Sequence, residues 1–406
     1  GAEGGDPMTR QVLVAGGGIG GLAAAFSAAR AGWHARVFEQ ASVFSEVGAG
    51  LQLGPNATRV LRDWGLLEAA LARGCRPLRL VARDAFTGRA LSSLPLEDFA
   101  SRYGAPYLTI HRADLHAVLL QAAQAQGPEV SLHTGARLED LMEVGDGVRV
   151  RLADGTRPEA DAVVGADGLW SVVRQALLAD GPAQPSDHVA YRGLAPLAGL
   201  AGWLPAHEVT AWLGPRLHAV SYPVRGGRAL NVVCVVQQPV QGADVSLRGW
   251  DVSQTAQRLA AATVAIRATA GPLRELLDAV PTWGLWVLHD RPPVAGPQQM
   301  ARGRAALLGD AAHPMRPYLA QGAAMALEDA DELGRCLRAV NDRIVDVPQA
   351  LRRYALARWE RVARVQRRSL RNAAIFHAQG PTRIARDLAL RSLGPRLMDL
   401  PWLYGG

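Results

Sequence analysis

The chain has 406 residues, enough for two domains with separate cores, and its 49% apolar and 20% charged residues are ordinary for a globular protein. Net charge is +7, and all 44 basic residues are arginine, which excludes a Schiff-base lysine and a P-loop lysine. The arginines are scattered without a nucleic-acid motif; three distant cysteines, Cys75, Cys234 and Cys336, form neither a disulfide framework nor a zinc site and fit a reducing cytoplasm.

No apolar run reaches about 18 residues, so no integral membrane segment is expected. Residues 1–7, ahead of Met8, are set aside. Residues 11–15 read as an apolar strand, followed by a glycine-rich turn, an Ala-rich helix to Ala31, a stop at Gly32 and a second strand over 35–39. This is a βαβ opening. Turn residues over 45–56 lead to a helix near 57–64. A strand over 108–111 precedes a helix from Arg112 to about Gln126, and hairpin-like strands end at 161–165. From about 188 to 287 the pattern alternates, with strands over 209–213, 218–224 and 230–237. Arg225-Gly226-Gly227-Arg228 between the last two has hairpin chemistry, and a helix is expected over 253–268. A strand over 305–309 returns to the first style. Helices over 322–338 and 347–376 follow, the second long, amphipathic and Arg-rich.

Gly16, Gly18 and Gly21 satisfy G-x-G-x-x-G between strand and helix. The first permits the tight turn, the second lets a pyrophosphate approach the backbone, and the third lets helix and strand pack closely. A pyrophosphate then meets the free N–H groups of the helix N-terminus. Glu39 ends the second strand about 20 residues on, where an acid holds ribose hydroxyls. This motif does not separate FAD from NAD. Two further clusters bear on that choice: Gly165-Ala166-Asp167-Gly168 with Ser171 and Arg174 close behind, and Leu307-Leu308-Gly309-Asp310-Ala311-Ala312-His313-Pro314. In the second, an apolar strand delivers an aspartate to its carboxyl end, where α/β sheets bind ligands. The competing reading of each aspartate is a helix N-cap.

These residues together resemble the single-component (class A) FAD aromatic hydroxylases typified by 4-hydroxybenzoate hydroxylase. The nearest branch holds 3-hydroxybenzoate 6-hydroxylase, salicylate hydroxylase and 6-hydroxynicotinate 3-monooxygenase. The resemblance is carried by residues 46–56, 109–115, 190–193, 214–218 and 318–323, and extends to Thr382-Arg383-Ile384-Ala385-Arg386. It implies an α/β chain with a discontinuous Rossmann-like FAD-binding domain, 8–187 and 289–340. An inserted antiparallel-sheet substrate domain spans 188–288, and a C-terminal helical segment 341–406. It implies non-covalent FAD, with Glu39 on the adenosine ribose, Arg112 near the ribityl–phosphate region and Asp310 on ribityl hydroxyls. Gly322 and Ala323 would offer N–H groups to the flavin pyrimidine edge, and Asp167 lies in a motif associated with both FAD and the nicotinamide cofactor.

By the same resemblance, NADH or NADPH reduces the flavin and O2 then forms a C4a-hydroperoxyflavin. Its electrophilic oxygen requires an electron-rich ring, and a base at the substrate hydroxyl supplies one. His218 and Tyr222, at i and i+4 on one strand, face the same side and match the branch's activating and positioning pair. A His and a Tyr merely packed in a sheet face are the competing reading. Gln52, Arg192 and Pro317 are candidate substrate contacts. Pro317 stands where 3-hydroxybenzoate 6-hydroxylase has Gln, and Gln52 where the nicotinate enzyme has His, so neither substrate is singled out. Arg192 or Arg316 could clamp a substrate carboxylate, and His313 reads as a loop-ordering residue rather than a catalyst. The expected partners are a small phenolic acid, NAD(P)H and O2, in a cytoplasmic protein that could form a homodimer. The alternative is an FAD monooxygenase or epoxidase for a bulkier polyketide or isoprenoid. A flavin dehydrogenase or oxidase and a non-catalytic FAD-binding protein are the remaining readings.

Overall fold

The computed structural model describes residues 9–44, 50–200, 206–237, 271–316, 321–378, 380–393 and 395–405. A six-stranded sheet runs in the order Ala301–Arg302, Ala305–Leu307, Ala162–Gly165, Gln11–Ala15, His34–Phe38, Val130–His133, parallel except for its first pair. Val12, Leu13 and Val14 are all buried, on both faces of their strand. A strand covered on both sides needs a continuous apolar run, and this explains why residues 11–15 show no alternation. The helices Ile19–Arg30 and Gly322–Asn341 pack against each other beside this sheet.

The second sheet has seven strands in the order Gly284–Asp290, Gln184–Pro196, Ala229–Gln237, Leu217–Val224, Glu208–Gly214, Arg79–Asp84, Ala90–Pro95. Its neighbours are antiparallel except for Glu208–Gly214 with Arg79–Asp84, which are parallel. The three expected hairpin strands occur within a residue of their expected bounds. Their connecting turn places Arg225, Gly226 and Gly227 at φ of 53°, 67° and 87°, a conformation that favours glycine at the last two. The segment 188–288 does not contain the whole of this sheet, however. Two strands from residues 79–95 extend it, and its longest strand begins at Gln184. Strand pairing is decided by partners far apart in the chain, so a boundary drawn from local pattern misses it. The helix expected over 253–268 lies outside the described residues.

The helix Val347–Phe376 spans about 45 Å at 1.5 Å per residue and joins the two sheets. Asp346 and Gln349 form a capping box at its start. Near that end, Tyr354 donates a 2.7 Å hydrogen bond to the carbonyl of Leu307 in the parallel sheet. At the far end, Ala373 and Phe376 pack against Ala190 and Val235 of the seven-stranded sheet. Not all of its arginines lie on a solvated face: Arg358 is buried against Asp329 and Glu328. Among the described residues, no helix is long and apolar enough to cross a membrane.

Candidate active site

A groove of about 600 Å³ opens at the carboxyl ends of Gln11–Ala15 and Ala162–Gly165, lined by Gly16, Gly18, Glu39 and Asp167 on one side. Gly16 has φ +98°, and a Cβ there would lie 2.3 Å from the carbonyl oxygen of Ala166. A Cβ on Gly21 would lie 1.8 Å from the carbonyl oxygen of Gly16, so the third motif glycine serves packing and not the groove surface. Glu39 faces the groove and accepts a 3.4 Å contact from Gly17 N. Beneath the glycine loop, buried His116 donates from Nε2 to the carbonyl of Gly17 at 2.8 Å. That histidine escapes sequence reading, since nothing in its helix distinguishes it from a packed core residue.

Asp167 is not the N-cap of the helix that follows; Ser171 is, its Oγ accepting from Arg174 N at 2.9 Å. The Asp167 carboxylate accepts from Ser171 Oγ and from Val172 N at 2.9 Å, bracing that cap from outside the helix Val172–Leu178, while the residue remains on the groove wall. Burial pushes its pKa up, against those hydrogen bonds. Asp310 is exposed where the groove meets a second cavity, on a turn fixed from below. Buried Asp329 accepts from Gly309 N at 3.1 Å, His313 Nε2 at 2.5 Å and Arg358 Nε at 2.7 Å. Burial alone would raise the Asp329 pKa, but His313 and Arg358 outweigh it and hold the carboxyl below its ordinary value. Arg174 Nη1 donates to the carbonyls of Ala311 and Ala312 at 3.0 and 2.9 Å. His313 thus orders the loop and does not face either opening as a base. Asp329 and Arg358 belong to two helices and carry no local motif.

Gly322 begins the helix Gly322–Asn341, lines both openings, and has nothing within 4 Å of where its Cβ would stand. Ala323 lies beside it, and Arg112 at the start of Arg112–Gln124 also borders both openings. The cradle therefore suits FAD: glycine backbone for a pyrophosphate, an acid for the ribose, and an open helix N-terminus where a reduced flavin gathers negative charge.

The second cavity, about 220 Å³, is lined by His218, Tyr222, Arg192 and Gln52 as well as by Asp310, Gly322 and Ala323. His218, Val220 and Tyr222 alternate along Leu217–Val224 and all face it, as period-two geometry requires. Leu217 and Ala219 point the other way, into an apolar cluster. Burial, then the neighbouring His377 and His188, drive the His218 pKa well down, so its ring stays neutral. Burial raises the Tyr222 phenol and lowers the Arg192 guanidinium to about 9, the latter also through Arg112. Gln52 Oε1 accepts from Tyr107 Oη at 2.7 Å. Arg316 reaches the cavity wall but is committed to Asp290, with Nε at 2.8 Å and Nη2 at 2.5 Å. Arg192, on the strand Gln184–Pro196, lines the same cavity. Pro317 lies outside the described residues. Behind His218, its Nδ1 is 2.8 Å from His377 Nε2, a contact across 159 residues with no sequence signal.

A family described as FAD binding domain matches residues 9–369. The chain is 38% identical over 405 residues to 3-hydroxybenzoate 6-hydroxylase of Polaromonas naphthalenivorans (strain CJ2), covering 98% of this chain and 97% of that one. It is 37% identical over 376 residues to 6-hydroxynicotinate 3-monooxygenase of Pseudomonas fluorescens, covering 92% and 93%. Among solved structures, Klebsiella pneumoniae HpxO complexed with FAD and uric acid superposes with a TM-score of 0.82 at 26% identity, covering 96% of this chain and 94% of that one.

Proposed function

Because the chain belongs to the FAD binding domain family, we propose that this FAD-dependent monooxygenase hydroxylates a one-ring aromatic acid bearing a phenolic hydroxyl, at the expense of NADH or NADPH and O2. The observation that carries this reading is the cavity that sets His218, Tyr222 and Arg192 against the flavin-side residues Asp310, Gly322 and Ala323. When bound, FAD would accept two electrons from the nicotinamide cofactor and pass them to O2. The protein's own part is recognition and proton handling. Arg192 meets the carboxylate, and a guanidinium there presents two parallel donors. His218, neutral in its buried setting, withdraws the phenolic proton and makes the ring electron-rich. Tyr222 and Gln52 orient the ring from the cavity wall. Residues 8–187 and 289–340 serve the cofactor, and 188–288 the substrate, with the two strands of 79–95 added to the latter.

Cavity size favours a hydroxybenzoate, salicylate or hydroxynicotinate. About 220 Å³ falls below the roughly 300–1,000 Å³ typical of sites for drug-sized ligands. A neighbouring apolar cavity of about 510 Å³, lined by Leu80, Phe376, Leu390 and Met398 among others, shares Gln52 and Val220 with it and favours the bulkier reading. The Tyr107–Gln52 hydrogen bond at that shared wall argues against free passage. The test is a panel of hydroxylated benzoates, hydroxynicotinates and polyketide phenols, scored by substrate-stimulated NADH and NADPH oxidation and by incorporation of oxygen from 18O2. One-ring acids should give labelled product. Oxidation of substrate without label would establish a dehydrogenase or oxidase instead, and turnover confined to the larger phenols would establish the alternative. We place the protein in the cytoplasm, on its reduced cysteines.

A further inference from the structure

Chain ends usually fray unless something ties them down, and the carboxyl-terminal end of this chain is tied. Its last helix, Pro401–Tyr404, has four residues, so its carbonyls find no partner within it. Arginines from the helices Pro55–Asp63 and Val347–Phe376 supply the partners. Arg361 Nη1 and Nη2 donate to the carbonyls of Trp402 and Leu403 at 3.0 and 2.9 Å, and Arg59 Nη1 donates to that of Tyr404. The Arg364 guanidinium lies 3.8 Å from the centroid of the Trp402 ring, and Asp399 accepts from Arg102 and from Tyr103 Oη.

What this anchoring puts in place is Tyr404. Its buried ring packs against Phe99, Tyr103 and Tyr107, with centroids 5.4, 5.9 and 6.3 Å apart. A Cβ on Gly54 would lie 2.7 Å from that ring, so the chain leaving the strand Gly50–Leu53 passes directly across it. Tyr107 Oη donates at 2.7 Å to Gln52 Oε1 in the same strand, and burial keeps the proton on Tyr107. Gln52 and Val220 are shared by the substrate cavity of about 220 Å³ and the apolar cavity of about 510 Å³, whereas Tyr107 and Tyr404 line the larger one. Val220 is β-branched and stiff within its strand. The longer Gln52 side chain has rotamer freedom to lose, and stays in place only through its partner.

We propose that Tyr404 is a specificity-determining residue: by backing Tyr107, which holds Gln52, it keeps the two cavities apart and confines the substrate to one ring. This rests on the one-ring reading above. Phe99 and Tyr404 flank the Tyr107 ring, with centroids 6.2 and 6.3 Å away. Removal of the Tyr404 ring leaves a void on one side, into which Tyr107 turns, and the hydrogen bond to Gln52 breaks with that turn. The Gln52 carboxamide then swings aside and opens the substrate cavity toward Leu80, Phe376 and Leu390. A second apolar ring on the substrate gains burial there that the closed wall denies it. A tyrosine serving core packing alone would lower stability on removal and leave the choice between small and large substrates as it was.

The experiment titrates FAD-loaded enzyme with 3-hydroxybenzoate, salicylate and 6-hydroxynicotinate, and with the phenyl-substituted analogues of each, following the flavin absorbance. In the wild type the tightest one-ring acid binds about tenfold or more tightly than its phenyl analogues. In Y404A that ratio falls about tenfold or more, through tighter binding of at least one phenyl analogue, while FAD affinity is unchanged. Y404F keeps the ring and the wild-type ratio. Y107F removes only the hydroxyl that holds Gln52, leaves the chain end docked and lowers the ratio in the same direction; it serves if Y404A does not fold. The wild-type ratio in either folded variant would overturn the brace and leave the one-ring reading standing. A wild type that binds the phenyl analogues as tightly as the parent acids would overturn the one-ring reading, and the brace with it.

Discussion

The cofactor groove and the substrate cavity meet at Asp310, Gly322 and Ala323, yet they are built in different ways. The groove is mostly backbone. Glycines at 16 and 21 are dictated by approaches of 2.3 and 1.8 Å to neighbouring carbonyl oxygens, and its anion-binding groups are helix N-termini. The cavity is mostly side chain. Its chemistry depends on ionisable groups taken out of water, with His218 lowered and Tyr222 raised by burial. Backbone recognition spreads its energy over many N–H groups and tolerates the loss of one side chain. A buried side-chain constellation concentrates its effect in one residue, so single substitutions should divide cleanly between the two.

The largest expected effect is in the cavity. H218A should bind FAD and be reduced as the wild type is, but lose about 10²–10⁴-fold in the hydroxylation step. Product formed per NADH oxidised measures it, and raising the pH should restore part of the yield. Wild-type coupling at neutral pH would remove His218 from the chemistry; a weakened FAD affinity would blur the division itself. R358A tests the join between the regions. It leaves Asp329 buried without its 2.7 Å cation, at a cost of about 3–5 kcal/mol in stability. Because Asp329 also holds Gly309 N, FAD affinity should fall with the denaturation midpoint. An unchanged midpoint would show that the pair is not a keystone.

D310A should weaken FAD binding by about 1.5–3 kcal/mol, through loss of a charged acceptor, with the fold intact and coupling of the remaining holoenzyme preserved. Flavin titration and coupling together test this. Lost coupling at unchanged affinity would move Asp310 from the groove to the cavity. A pH series sharpens the contrast further. His377 is lowered from 6.5 to about 3 in the fold, so the unfolded chain binds its proton first and stability falls as pH drops below about 6.5. Each such histidine contributes a slope of up to about 1.4 kcal/mol per pH unit, expected to continue down to about pH 3. In H377F the midpoint of urea unfolding should fall less steeply over that window. The smallest effect belongs to Y222F, which should change coupling by less than about tenfold if Tyr222 orients the ring through contact and not by proton transfer.

Legibility followed the same division. Gly16, Gly18, Gly21 and Glu39 were readable because a tight turn, a close approach and an acid at a strand end are local demands written at fixed spacing. The helix over 347–376 was readable from its amphipathic period, which is local as well, and the structure adds the Asp346–Gln349 capping box at its start. The strands at 79–95 were not assigned, because their pattern does not say which sheet they extend. His218 and Tyr222 were visible as a same-face pair. Their partner His377 was not, because no periodicity links a strand residue to a helix end 159 positions away.

By itself, then, the sequence determined the dinucleotide motif, the order of its elements and the residue types available for chemistry. Tertiary structure decided which of those residues share a cavity and which of them are charged there. It turned Arg316 toward Asp290 and left Arg192 on the cavity wall. It set the rings of His218, His377 and His188 edge-on to one another and buried all three. The physical reason is that backbone conformation answers to neighbours in the chain, whereas desolvation and proton affinity answer to neighbours in space.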